Sequence, residues 1–168
     1  MLAPELNPTP GAPDANSYVS LAEAVAYAAS TTGPAAAAWL DLSPDKQAQS
    51  LITAARRLDE EDYAGRKAKY SQALQWPRVG ARDEDGRPIP SSTVPRVVRA
   101  AQIEIAMSYG EGDPYGGGEL DGYSAVKVGP ISIDLRDGAK PGALPDQVRR
   151  LLRHVLRTGG STMRLVRG

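Results

Sequence analysis

The stretch Gln72–Pro95, QALQWPRVGARDEDGRPIPSSTVP, decides how the rest of the chain is arranged. The proline after Trp76 excludes the helical conformation at that tryptophan, because its ring clashes with the preceding backbone. The Asp-Gly pair at 85–86 predicts a tight turn, since glycine adopts positive φ without strain. Pro95 suits the first turn of a following helix, where its missing N–H costs nothing. We therefore expect a long, stiff and ordered loop between two helices.

Apolar residues at helical spacing predict four helices around this loop. Ser20 lies three residues before a glutamate, which is the pattern of a capping box and marks a helix start. The Ser-Pro pair at 43–44 is a second start signal, with a cap and a first-turn proline side by side. The other helices are expected to begin near Val94 and at Pro145, and a short helical turn is expected over 34–40.

Residues 131–136 alternate between apolar and polar side chains, which is the period of a strand with one apolar face. A Gly-Pro pair separates them from a second strand-like stretch, residues 123–128. Together they predict a β-hairpin over about 122–137, which needs something to pack on because a lone hairpin is marginal in water.

A length of 168 residues fits a single domain. We expect residues 14–158 to form it, with a mainly α fold: a small bundle of three to four helices, the β-hairpin and the long ordered loop. Residues 1–13 are rich in proline and are expected to be an extended arm, disordered unless a partner holds it. Residues 159–168 follow the last helix as a C-terminal tail.

The composition excludes several kinds of site. Cysteine is absent, so neither a disulfide framework nor a thiolate metal site can form. His154 is the only histidine and is expected to be exposed, and no nucleotide-binding motif occurs. We predict no catalytic residues, no metal, no cofactor and no enzymatic activity. Without a signal peptide or an apolar run long enough to span a bilayer, the chain is expected to be made in the cytoplasm and to contact no membrane.

Charge is segregated within a chain of zero formal net charge. Residues 140–168 carry seven cations and one acid, whereas residues 111–139 carry six acids and two cations. Such a pattern suits head-to-tail association between copies, or docking on a charged partner. From charge alone, ordinary solvated faces are expected about as often. The acidic run 59–62 lies at a predicted helix end, and we expect it to be a solvated end or a contact for a neighbouring subunit.

Three blocks resemble one family of tailed-phage proteins. The first is the stretch at 72–95, the second is DANSYVSLAEAVAY at 14–27, and the third is VGPISID at 128–134. They occur in the family's order and span most of the chain. Members carry two labels, head–tail connector (adaptor) protein and DnaT-like single-stranded-DNA-binding protein, which are different functional claims.

The connector label implies a structural virion protein of the phage neck. The resemblance then implies a ring, twelvefold in the family, that joins the portal to the tail and extends the DNA channel. Its partners would be the portal protein, copies of itself, a further neck or tail-completion protein, and the packaged double-stranded DNA that passes through.

The residues favour the connector label over the alternative, a single-stranded-DNA-binding accessory protein. Binding of a single strand combines a basic groove with exposed aromatic rings on which bases stack. The basic stretch 140–168 contains no aromatic residue, and Tyr109, Tyr115 and Tyr123 lie in or beside the acidic segment. In an alternative arrangement, we expect Arg153 and Arg157 to face the lumen of the ring and to contact DNA phosphates non-specifically.

We expect residues 145–168 to contact the portal, and residues 77–93 and 122–137 to contact neighbouring subunits. The candidate portal-contact residues are Arg149, Arg153, Arg157, Met163, Arg164, Leu165, Val166 and Arg167. The candidate subunit-contact residues are Trp76, Arg78, Asp83, Asp85, Ile89, Tyr123, Val126, Val128, Ile131 and Ile133.

Overall fold

The computed structural model describes residues 5–110, the strand backbones at 125–128 and 131–134, and residues 144–157. In chain order the elements are α1 (Leu21–Ala29), α2 (Pro34–Leu40), α3 (Pro44–Asp59), β1 (Arg66–Lys67), β2 (Arg78–Val79), α4 (Arg96–Ser108), β3 (Ala125–Val128), β4 (Ile131–Asp134) and α5 (Asp146–Leu152). The predicted fold class, mainly helical with an antiparallel hairpin, is confirmed. The short antiparallel pair of β1 and β2 was not predicted.

Helix α4 is the centre of the fold, and it contacts α1, α2, α3 and α5. Its buried Gln102 has all of its side-chain polar atoms bonded. The amide oxygen accepts from the backbone N–H of Tyr18 at 2.8 Å, and the amide nitrogen donates to Ser17 Oγ and to the Leu51 carbonyl, each at 2.8 Å. A buried polar group with every bond satisfied fixes how neighbouring elements dock, so Gln102 ties α3 and the segment before α1 to α4.

The predicted helix starts at Ser20 and Ser43 are confirmed. Ser20 Oγ accepts the N–H of Glu23 at 3.2 Å, and Ser43 Oγ accepts the N–H of Lys46 at 3.4 Å. Each bond satisfies an N–H that has no partner inside its helix.

The stretch at 72–95 is ordered, as its prolines predict. Trp76 is only 1% exposed and meets the ring of Tyr63 edge to face, with centroids 5.7 Å apart. The Trp76–Pro77 peptide bond is cis. The turn after Arg82 is held by Asp83, whose carboxylate accepts the N–H groups of Asp85 at 3.0 Å and Arg87 at 2.8 Å. The stretch is thus anchored in the core at its beginning and leaves α3 and α4 free to pack side by side.

The expectation that the N-terminal arm is disordered without a partner is wrong for residues 5–13. Asn16 Oδ1 accepts the N–H of Asn7 at 2.8 Å, and the Ala12 carbonyl accepts the N–H of Ala73 at 3.1 Å. Leu6 and Ala12 also pack against the core. The arm is therefore held by its own chain, through hydrogen bonds and apolar contacts together.

The acidic run at 59–62 is not simply a solvated helix end. Asp59 accepts the Tyr18 hydroxyl and the N–H of Gln75 at 3.2 Å. Burial raises the pKa of the Asp59 carboxyl, although these two donors stabilise its charged form. Farther along, Asp62 accepts a bond from Arg157 at 3.5 Å. The run therefore holds the chain's own segments together.

Helix α5 ends at Leu152, earlier than predicted, and the chain continues through the buried Val155. Ala64 donates to the Val155 carbonyl at 2.9 Å, which joins this end to the segment after α3. The predicted hairpin is confirmed in its backbone, where Val126 pairs with Ile133 and Val128 pairs with Ile131. The tail at 159–168 lies outside the described residues.

Candidate nucleic-acid interface

The segment Arg66–Tyr70, RKAKY, comprises β1 and the turn after it, and we call it the basic turn. Arg66, Lys69 and Tyr70 are exposed, whereas Lys67 and Ala68 are half-buried. The basic turn carries three cations, Arg66, Lys67 and Lys69, within four residues. Tyr70 follows them with its side chain fully exposed, at 106% of the reference accessibility. A large aromatic side chain with none of its surface buried is unusual in a folded domain. Exposed cations beside an exposed ring are the two features that a single-stranded nucleic acid binds.

Buried Gln72 fixes the base of the basic turn. Its amide oxygen accepts the N–H of Lys69 at 2.9 Å, and its amide nitrogen donates to the carbonyls of Leu74 at 2.8 Å and Pro77 at 3.0 Å. The N–H of Ala68 donates to the same Pro77 carbonyl at 3.0 Å. The backbone beneath Tyr70 is therefore held from inside, while the ring itself points into solvent.

Arg78 on β2 holds the segment that leads into the basic turn, and its side chain is 7% exposed. Its guanidinium donates to the carbonyls of Ala64 at 2.8 Å, Gly65 at 2.8 Å and Tyr63 at 3.2 Å. It also donates to the side-chain oxygen of Gln75 at 2.8 Å. Burial lowers the pKa of Arg78, but the planar guanidinium matches several carbonyls at once, as an ammonium cannot.

The cations of the basic turn are available to a ligand. In residues 5–110 and 144–157, none of the three takes part in an ion pair. Lys67 Nζ donates to the Ala73 carbonyl at 3.3 Å. The side chain of Lys69 passes Gly11, at 3.6 Å from the place that a Cβ would occupy there. Three phosphate contacts of this kind give a salt dependence of affinity with a slope of about −2 on a double-logarithmic plot for a single strand.

The predicted portal-contact residues divide into two groups. Arg149, Arg153 and Arg157 are exposed on or just after α5, so their side chains are accessible to a partner. Arg157 also bonds Asp62, and Arg153 donates to the ring of His154 at 2.6 Å. The residues outside the described part of the chain are Met163, Arg164, Leu165, Val166 and Arg167.

Two predicted subunit-contact residues are instead internal. Trp76 and Arg78 are buried within their own chain, so we correct their role from subunit contact to support of the fold. Asp85 is exposed, whereas Asp83 and Ile89 are half-buried. Of the hairpin residues, Val126, Val128, Ile131 and Ile133 are described in backbone only and Tyr123 not at all, and their subunit contacts stay predictions.

The basic turn is the functional candidate that the sequence-based prediction missed. The charge count over 140–168 drew attention to the end of the chain, while RKAKY lies between two predicted elements. A local signal was present, since three cations followed by tyrosine combine charge with a stacking surface. Exposure of the tyrosine is a tertiary property, which the local pattern does not contain.

Neither a cluster of metal-ligating side chains nor a membrane-spanning helix is found in the described part of the chain. No three side chains of the metal-ligating types cluster in residues 5–110 or 144–157. None of the helices in these ranges combines the length and the apolar character needed to cross a membrane.

Comparison with known proteins gives one match. The sequence model of a family described as "Putative DnaT-like ssDNA binding protein" matches residues 6–168. No curated protein and no solved structure gives a match to this chain. Because the match covers nearly the whole chain, the protein belongs to this DnaT-like family.

Proposed function

We propose that the protein binds single-stranded DNA, with the basic turn as the contact. The observation that carries the proposal is the fully exposed Tyr70 beside three cations, Arg66, Lys67 and Lys69, that form no ion pair with any residue the structure describes. The description of the matching family supports the same function. The earlier objection, that no aromatic accompanies a basic surface, holds for residues 140–168 but not for this turn.

The chemistry follows from the two kinds of side chain. The Tyr70 ring stacks on one unpaired base, and the cations contact the phosphates on either side of it. A duplex offers only phosphates to this turn because its bases are already stacked on one another, so a single strand is preferred. One ring and three cations make a weak site, and tight binding needs several copies along one strand.

Replacing Tyr70 by alanine is expected to weaken binding of a single strand by about five- to 150-fold, since stacking on one ring contributes about 1–3 kcal/mol. The fold is expected to be unchanged, because the ring makes no buried contact. Fluorescence anisotropy with a labelled oligothymidylate of about 16 nucleotides measures the effect, at low salt and at about 0.15 M salt. Tyr70→Trp keeps a stacking surface and should retain the affinity.

Charge is tested separately by Lys69→Gln, with Lys46→Gln as its matched control on the exposed start of α3. Lys69→Gln should lower both the affinity and the salt dependence, and Lys46→Gln should change neither. Equal affinities of the parent protein, Tyr70→Ala and Lys69→Gln would exclude the basic turn as the DNA contact. No binding of the parent protein at low salt would exclude the function.

A second candidate is the structural role at the phage neck. The three blocks that resemble connector proteins support it, as do the exposed arginines Arg149 and Arg153 on the α5 side. In this proposal residues 145–168 attach the ring to the portal.

Electron microscopy of the protein mixed with its portal tests this role. A new layer with the rotational symmetry of the portal is the expected result. Deletion of residues 159–168 should abolish the layer while circular dichroism of the remaining chain stays the same. Absence of a layer with the intact protein would exclude the neck role, and a layer with the truncated protein would exclude only the tail as the portal contact.

A further inference from the structure

A groove of about 720 Å³ lies between the segment that leads into α4 and the end of α5. One wall comes from residues 83–99, and the other comes from Arg150–Val155. Tyr70 and the rest of the basic turn are not part of it. The groove is therefore a second surface, separate from the proposed DNA contact.

The groove has an excess of positive charge. Five arginines line it against three acids. The acids are already engaged, since Asp83 caps the turn, Asp85 pairs with Arg87 at 3.1 Å and Glu84 lies 4.0 Å from His154. The cations that remain without an ion pair among the described residues are Arg96, Arg150 and Arg153.

The floor of the groove is apolar. Ile89, Val97 and Leu151 are half-buried there and keep part of their surface in contact with water. An apolar floor below arginine side chains fits an extended peptide that carries an apolar residue between carboxylates. It does not suit a nucleic-acid strand, because none of its lining residues is a tyrosine or tryptophan on which a base could stack.

We propose that this groove receives the acidic segment 111–124 of a second copy of the chain. That segment, EGDPYGGGELDGYS, has four acids and no cation. Its Glu119-Leu120-Asp121 places an apolar side chain between two carboxylates, which matches the floor and the arginines. Residues 158–168 carry only positive charge and are repelled by the same arginines.

The course of α4 favours a second copy over the same chain. Arg96 and Arg99 lie at the start of α4 and line the groove. The acidic segment begins after the other end of α4, and 13 residues of helix separate the two ends by about 20 Å. The chain thus enters the acidic segment at the end of α4 that is remote from the groove, and we take a second copy as the occupant, which gives a head-to-tail contact that can repeat from copy to copy.

The first test compares two adjacent arginines. Arg150 lines the groove and Arg149 does not, although both are exposed on α5. The parent protein should self-associate with rising concentration in sedimentation velocity runs, and less so when salt screens the charges. Arg150→Glu should weaken the association by about tenfold, and Arg149→Glu should change it less than about twofold. A monomer at all concentrations, or equal effects of the two substitutions, would overturn the proposal.

The second test uses complementary defects. Arg150→Glu weakens the binding of the acidic segment by the groove of one copy. The double change Glu119→Lys with Asp121→Lys weakens the binding of the segment of another copy to an intact groove. At a concentration where the parent protein associates and each weakened variant alone is monomeric, an equal mixture should form a heterodimer, because one intact groove and one intact segment remain. A mixture that stays monomeric would refute the contact. Binding of a short oligothymidylate to a single copy at low salt should persist in both variants, since neither set of substitutions touches Tyr70, so this test and that of the DNA contact fail independently.

Discussion

Replacing Arg78 by alanine is expected to lower the free energy of unfolding by about 3 kcal/mol or more, because each hydrogen bond to a charged group contributes about 1.5–3 kcal/mol and several are lost together. The guanidinium bonds the carbonyls of Tyr63, Ala64 and Gly65, which lose their donors in the variant. The truncation also removes a side chain that lies 5.9 Å from the centre of the Tyr63 ring. Urea unfolding followed by tryptophan fluorescence measures the loss, because Trp76 lies close to Arg78 in sequence and is buried.

Two controls separate charge from geometry. Arg78→Lys keeps the positive charge but cannot bond several diverging carbonyls, so it should recover less than half of the loss. Arg82→Ala removes an exposed arginine that bonds one carbonyl, that of Gly86 at 2.6 Å, and should cost less than about 1 kcal/mol. Full stability of Arg78→Lys would mean that charge alone holds the segment, and equal stability of Arg78→Ala would exclude the clamp.

The parts of the fold that sequence predicts well are those set by local chemistry. A serine followed by a helical stretch can satisfy an unpaired N–H wherever the helix lies, so Ser20 and Ser43 marked their helix starts correctly. Alternation with a period of two predicted the pairing of Val126 with Ile133 in the same way. These signals need no knowledge of the rest of the molecule.

Charged residues whose partners lie inside their own chain were beyond the same reasoning. Asp59 and Arg78 look like surface charges in the sequence, because charged residues are rarely buried without partners. Their partners are distant in the chain, and Asp59 bonds Tyr18 across 41 positions. The sequence pattern cannot show such a partner, so Arg78 was wrongly assigned to a subunit contact and Asp59 to a solvated end or a neighbour.

In the candidate site, too, some features follow from the local sequence and others only from the tertiary structure. The cations of the basic turn are visible in the sequence, but the exposure of Tyr70 is not, and neither are the bonds by which Gln72 and Arg78 hold Lys69 and Gly65 of the neighbouring backbone. The groove likewise combines residues near 90 with residues near 150, which no local pattern brings together. The segregation of charge along the chain indicated that a basic and an acidic surface exist. In the fold, Arg150 and Arg153 of the basic stretch line the groove.

Gly65→Ala is expected to lower the free energy of unfolding by about 3 kcal/mol and to weaken single-strand binding together with it. Gly65 has φ of 74°, and a Cβ there would lie 2.3 Å from the Val79 carbonyl oxygen and 3.0 Å from the Ala81 nitrogen. Since backbone atoms cannot rotate away as a side chain can, β1 must move off β2. Differential scanning calorimetry and oligothymidylate anisotropy measure the two effects.

Gly86→Ala is the matched control, because Gly86 has nearly the same φ, 75°, and no heavy atom within 4 Å of its Cβ position. Both substitutions place an alanine in the left-handed region, which costs about 1–2 kcal/mol. The additional loss in Gly65→Ala therefore measures the contact between β1 and β2.

The DNA affinity is compared at a temperature where both variants are fully folded. If Gly65→Ala then binds as tightly as Gly86→Ala, the pairing of β1 with β2 does not position Tyr70. If it binds as weakly as Tyr70→Ala, the ring contributes to binding only while Gly65, Arg78 and Gln72 hold the backbone of the basic turn in place.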